Sequence, residues 1–412
     1  MATGVLQAVT LGYQLLWNAQ RQATGVLLSM EPRPGSPQDT GHLLATLAEL
    51  WPARAPQLLL GTSHPGLLAD LLDLTHPKLA QVEVPAALLA DPAIAQRLAR
   101  AAQRGLPLVW HGQPGAHLMP AESISFAHHI VSLSAEDTLM ALRVALRKRH
   151  NTSQARGLHN GSPVRAQQSY DGVASRALAE HCLDQQGARA LLGWPMEDVL
   201  YGYRKARIQP DRPQVLALIK AIEADASMDR IEHLLGEDPM LAYRFLRYIN
   251  SAGLGLRQEV DALRQGLMVL GLTRTKSWLA ELLPQASSDR NLQPVRQAMV
   301  LRARFMSELL ATGKSEALRR ELYLCGLLSQ IDLLLGEPLG SVLKNIVLPA
   351  RVTAALLHHD GPYQPYLALA TAVESPASAN TSALCDTHAI DIEEVNSALL
   401  RTLGSLRSQT QE

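Results

Sequence analysis

The sequence predicts an α/β domain followed by an all-α domain: residues 1–204 in the first, 205–375 in the second, and 376–412 as a flexible connection and final helix. Three observations predict this division. From residue 12 to about 200, short β-type runs alternate with helical patterns, whereas after about residue 205 every strong pattern is helical. Between them lies "YRKARIQPDRP" (203–213), whose charges and two prolines read as a connector. A chain of 412 residues suits about two domains, each able to bury its own core.

The β-type runs are "GYQLLW" (12–17), "GVLLSM" (25–30), "QLLLG" (57–61), "QVEV" (81–84), "PLVW" (107–110), "IVSL" (130–133) and "ARALLGW" (188–194), set against helices near 41–50, 85–104, 134–149 and 172–186. Alternation of this kind gives parallel strands joined by crossover helices. The strands are few and short for a closed eight-stranded barrel, which typically needs about 250 residues, so an eroded barrel or open α/β layer is expected. The polar, Gly- and Ser-rich stretch 151–172 reads as a long surface loop, and "ESPASANTSA" (374–383) as a flexible connection.

Lys plus Arg and Asp plus Glu each number 38, so no net field exists to hold a nucleic acid or an anionic membrane. The N-terminus lacks the charged region of a secretion signal, and the most apolar run (322–336) is broken by Gln330 and Asp332, so a soluble cytoplasmic chain without membrane insertion is expected. Cys182, Cys325 and Cys385 lie far apart without CxxC spacing and read as buried apolar residues.

In the second half, "GEDPMLAYRFLRYINSAGLGL" (236–256) has Asp238 to cap a helix, Pro239 at its first position, Leu241, Phe245, Tyr248 and Ile249 on one face, and Gly253 and Gly255 to end it. In "LRQGLMVLGLTRTKSWLAELL" (263–283), one helix stops at Gly271 and Thr273 is the candidate cap of another. The words "EDP", "LRYINSAG", "LGLTRTKSW" and "CGLLSQIDLLL", spread over about 212–370, resemble the HDOD domains, bacterial signalling relatives of the HD metal-dependent phosphohydrolases. The resemblance implies that the helix holding a His-Asp metal dyad in active relatives here carries Ser329 and Gln330 in their place, and no histidine occurs between His233 and His358. A hydroxyl and an amide do not replace imidazole and carboxylate as ligands for a divalent ion. The His359-Asp360 pair in "LLHHDGP" (356–362) precedes a Gly-Pro and is read as a helix end, with His358 and His359 at the C-terminus.

The first half resembles the EAL phosphodiesterases, which hydrolyse cyclic di-GMP on a two-metal barrel. The frame "GYQLLW" is similar to their first strand G-x-E-A-L, which implies that Gln14 stands where a metal-binding Glu would, the alternative being an ordinary strand amide. "VEVPAALLADPAIAQRLARAAQRGLPLVW" (82–110) resembles the strand, helix and strand that lead to an acidic pair, which implies that Glu83 survives from a functional position; "WHGQPGAH" (110–117) has no carboxylate. "LDQQGARALLGWPMED" (183–198) resembles the closing segment, with Gly193 and Pro195 in place.

The remaining candidates have ordinary readings. His111, His117, His128 and His129 lie close in sequence without metal-ligand spacing and read as loop and strand-end residues. "GTSHPG" (61–66) lacks the P-loop lysine and reads as a turn with Ser63 or His64 near a cap. Arg143, Arg147, Lys148 and Arg149 suit the end of a helix. Asp238, Arg247 and Asn250 are candidates for ligand or partner contact beside their capping roles. The expectation is a non-catalytic signalling protein, without metal or cofactor, that binds protein partners, with a non-hydrolysing cyclic di-GMP receptor and a residual phosphohydrolase on His358–Asp360 as alternatives.

Overall fold

A computed structural model of the chain describes residues 4–113, 125–150, 161–204, 206–254, 259–310, 315–375 and 379–406. Two compact units emerge, one of residues 1–198 with 372–412 and the other of 199–371. Among the described residues no helix is long and apolar enough to cross a membrane.

The first unit is a closed barrel of eight strands, β1 (Val9–Trp17), β2 (Ala23–Pro32), β3 (Gln57–Gly61), β4 (Gln81–Pro85), β5 (Leu108–Gly112), β6 (His128–Ser132), β7 (Ser169–Asp171) and β8 (Ala190–Leu192). β1 runs antiparallel to both β2 and β8, and every pair from β2 to β8 is parallel. The expectation of an eroded or open layer is corrected by β7, which lies inside the stretch read as a loop. Three residues cannot display a period of two; β7 is a strand because β6 and β8 bond both of its edges, with Ser169 facing Ile130 on one side and Ala190 on the other.

Leu16, Leu27, Leu59, Val109, Ile130, Ala190 and Leu192 form a buried apolar cluster inside the barrel. Outside it run helices Thr40–Leu50, Pro92–Gln103, Ala135–His150 and Arg176–Glu180, each overlapping an expected span. Pro65–Leu74 is a further helix, capped by His64, whose Nδ1 accepts from the Leu67 amide at 3.2 Å. It follows the reading of "GTSHPG" as a turn with a capping histidine.

Helices Ala379–His388 and Ile392–Gly404 belong to the barrel unit. Asn396 is fully buried; its side-chain amide donates to the Leu6 and Val9 carbonyls at 2.8 Å each, and its oxygen accepts from the Leu11 amide at 3.3 Å. Ordinary sequence polarity hid this because an amide on an amphipathic helix reads as an outward residue.

The second unit is helical, as expected. Asp238 caps Pro239–Ile249 by accepting from the Met240 and Leu241 amides, and Leu241, Phe245 and Ile249 are fully buried. The helix ends at Asn250 rather than at Gly253. Helix Leu263–Leu270 stops at Gly271 with φ +76°, as its sequence predicts, but Gly271 and not Thr273 precedes the next helix, Leu272–Leu282, leaving Thr273 inside it. Arg296, 2% exposed, reaches the Asp211 carboxylate at 3.1 Å and the Gln209 carbonyl at 2.7 Å, and lies 3.7 Å from Asp238. This network ties the starts of helices Arg212–Glu223 and Pro239–Ile249 to helix Gln293–Glu308.

Replacing Asn396 with Leu strands two carbonyls and an amide away from water, and unfolding in urea is expected to show the barrel destabilised by roughly 3 kcal/mol. A midpoint within experimental error of the parent would show that these three bonds contribute nothing.

Candidate functional site

Side chains alternate across each strand, so the interior cluster fixes which residues line the barrel. Val109 faces inward and so does His111, two residues on; Glu83 is paired with Val109, and Asp171 stands two residues beyond Ser169, the partner of the inward Ile130. Glu83, in the middle of β4, therefore meets His111 and Asp171 toward the carboxyl ends of β5 and β7, the face on which barrels of this architecture assemble their chemistry.

His111 is gripped on both sides. Its Nδ1 bonds the Glu83 carboxylate through a short contact and its Nε2 bonds Asp171 Oδ2 at 2.9 Å. Ser132 Oγ lies 3.5 Å from the same Nε2. Gly61 makes the room: a side-chain carbon there would overlap the Glu83 carboxylate. Burial opposes charge on His111, yet the bonds to Asp171 and Glu83 outweigh it and push the imidazole up to about 9. Burial also opposes ionisation of Asp171, and the bonds from His111 and Ser132 hold it below the usual carboxylate range. His111 is thus held between the Glu83 and Asp171 side chains with its charged form favoured.

Among the described residues no group of three or more His, Cys, Asp or Glu is placed to hold a metal ion. Protonated on both nitrogens, the His111 imidazole has no lone pair to offer one. The other histidines do not join it. His128 is buried, and burial first, with Arg189 nearby, pushes it down to about 4. His129 packs edge-on against Trp110 at 5.7 Å, and His117 lies outside the described residues. Gln14 shares the inner face of β1 with Leu16, its amide beside Gly193, and makes no side-chain hydrogen bond among the described residues. Sequence reading reached Glu83 and set His111 aside as a strand-end residue; it missed Asp171, whose one signal was a carboxylate closing the short "SYD" before Gly172.

In the helical unit, helices Gln293–Glu308 and Glu316–Leu328 cross so closely that a side chain at Gly326 would strike the Ala303 backbone. That approach sets Arg302, 6% exposed, against the two positions in question. Arg302 Nη1 donates to Ser329 Oγ at 3.0 Å, and with the Gln330 amide turned so that its oxygen faces the guanidinium, that oxygen accepts from Nη1 at 3.3 Å and Nη2 at 3.2 Å. A buried guanidinium stands where a divalent ion would meet it as a like charge. His358, His359 and Asp360 are exposed at a helix end, with His359 in the left-handed region at φ +52°. Asn250 is a clamp, bonding the Leu246 and Val260 carbonyls and the Val260 amide; Arg247 is exposed on the same helix.

The triad makes the barrel sensitive to pH in a stated direction. Because the folded His111 pKa is raised, its contribution to stability is complete below the ordinary imidazole value of 6.5 and is lost as pH climbs through about 9. Asp171 is shifted down, so its contribution holds above the ordinary carboxylate value and disappears as pH falls through the lowered one. Thermal midpoints taken across this range are expected to decline on the alkaline side in the parent and to stay level there in His111→Gln; an unchanged alkaline decline in the variant would count against the triad.

Residues 210–360 match the HDOD domain family model. The chain is 27% identical over 154 residues to the Uncharacterized protein YuxH of Bacillus subtilis (strain 168), covering 36% of this chain and 37% of that protein. It is 22% identical over 194 residues to the cyclic di-GMP phosphodiesterase CdgJ of Vibrio cholerae serotype O1, covering 47% and 45%. Each match spans less than half of the relative. Among solved structures, the EAL enzyme Bd1971 in its cAMP-bound form is similar over 46% of this chain and 62% of that chain, at 14% identity with a TM-score of 0.30. Residues 210–360 are thus an HDOD domain, borne on one chain with a closed eight-stranded barrel.

Proposed function

We propose that this chain is a non-catalytic bacterial signal-transduction protein that works as a protein-interaction scaffold or regulator in a cyclic di-GMP or related response pathway. One observation carries the reading: in each unit a cation of the chain's own, His111 between Glu83 and Asp171 and Arg302 against Ser329 and Gln330, stands at the position where the family resemblance expects metal chemistry. Metal-assisted hydrolysis requires an ion with an open coordination position that lowers the pKa of bound water. An imidazolium or a guanidinium neutralises nearby carboxylates or fills a polar gap, but neither coordinates a water or a phosphoryl oxygen as a Lewis acid. The similarity to a protein named as a cyclic di-GMP phosphodiesterase supports the choice of pathway.

Calorimetric titration with cyclic di-GMP, run beside a turnover assay in manganese and magnesium, tests the reading. No turnover is expected in either metal. Hydrolysis that a chelator abolishes would sink the proposal, and tight binding without turnover would make the chain a nucleotide receptor in place of a scaffold.

A further inference from the structure

The helical unit contains a second polar cleft, separate from Arg302, of about 610 Å³. Its lining includes three arginines, Arg207 from the segment before the first helix and Arg244 and Arg247 from helix Pro239–Ile249. Positions three apart in a helix lie on one face, so Arg244 and Arg247 are a like-charged neighbouring pair, an arrangement that weakens a helix unless something compensates it. Among the described residues none of the three guanidinium groups has a hydrogen bond or an ion pair, in a unit where Arg296, Arg302, Arg304, Arg319 and Arg320 are all partnered. The lining carries a single carboxylate, Glu337. Burial first, and then the charges of Arg247 and Arg207, hold the Arg244 guanidinium below its ordinary range against the pull of Asp238, whose carboxylate is already engaged by the Met240 and Leu241 amides and the Asp211 amide.

The walls are aromatic. Tyr248 and Trp278, both in the lining, stack with centroids 5.6 Å apart and planes 19° from parallel. Trp278 is fixed from behind by Phe245, edge-on at 5.5 Å. Rigid aromatic surface beside a cluster of uncompensated planar donors is the combination that recognises a phosphorylated ligand with a ring system: guanidinium forks match phosphoryl oxygens, and the aromatic wall adds apolar contact.

We propose that the cleft bounded by Arg207, Arg244, Arg247, Tyr248 and Trp278 is an anion site for a nucleotide carrying at least two phosphoryl charges. The ligand supplies the negative charge that the lining lacks, and the mutual repulsion of the arginines is relieved when it binds. Its lining includes neither Ser329 nor Gln330, and its presence does not depend on the scaffold reading.

The probes are inorganic pyrophosphate and guanosine diphosphate, titrated into the full chain by calorimetry and by thermal shift, with sodium sulfate at matched ionic strength as the control. Both probes are expected to bind and to raise the thermal midpoint, with guanosine diphosphate the tighter of the two, and binding is expected to weaken with added salt. The double variant Arg244→Gln/Arg247→Gln is expected to lose about tenfold or more in affinity for each probe. Without ligand, the same variant is expected to melt at or above the parent temperature, because a repulsion has been removed; this separates a lost site from a damaged fold. Equal midpoint shifts with sulfate, undiminished binding in the double variant, or no binding of either probe at millimolar concentration would each overturn the proposal. Pyrophosphate binding with no gain from the guanosine would overturn the aromatic part and the assignment to nucleotides.

Discussion

The bond pattern of His111 is the constraint on which the barrel site depends. Two carboxylates brought together at the mouth of a barrel repel each other and lose hydration; a cation between them turns that repulsion into attraction. In a metal enzyme the ion does this and remains open to substrate. Here a side chain does it, and both of its nitrogens are occupied. The result ties β4, β5 and β7 to one another, so the contact reinforces the shape of the barrel. Arg302 acts in parallel in the helical unit, where its guanidinium joins helix Gln293–Glu308 to the turn at Ser329 and Gln330.

Much of this was legible in the sequence, and what was hidden was hidden for physical reasons. The divide between an alternating first half and a helical second half followed from periodicity, and the cap at Asp238 and the stop at Gly271 followed from local backbone chemistry. Closure of the barrel did not, because β7 is defined by its neighbours and not by its own three residues. The site was half visible. Glu83 could be picked out by resemblance, whereas Asp171 lies 88 positions away along the chain, a separation that only the folded sheet removes, and His111 looked ordinary until its two partners were in place. The role of Asn396 was invisible for the same reason, since its partners are 385 to 390 residues distant.

Buried charge in the helical unit has a different purpose. Arg296 with Asp211 and Asp238 joins the beginnings of two helices to the flank of a third, and its desolvation makes it a weak source of stability. What such a network provides is registry: each member has one arrangement in which its partners are satisfied, and sliding one helix along another would leave a charge buried alone. The arginines of the open cleft are the contrast, since among the described residues they have no hydrogen-bond or ion-pair partner.

The grip of Asn396 on residues 6 to 11 also orders events in time. A strand at the start of the chain waits for a helix at residues 392–404 before its buried backbone groups are satisfied, while every residue of the helical unit has by then been made. On a ribosome the helical unit is free to fold before residues 392–404 emerge, so the barrel completes its buried bonds after it.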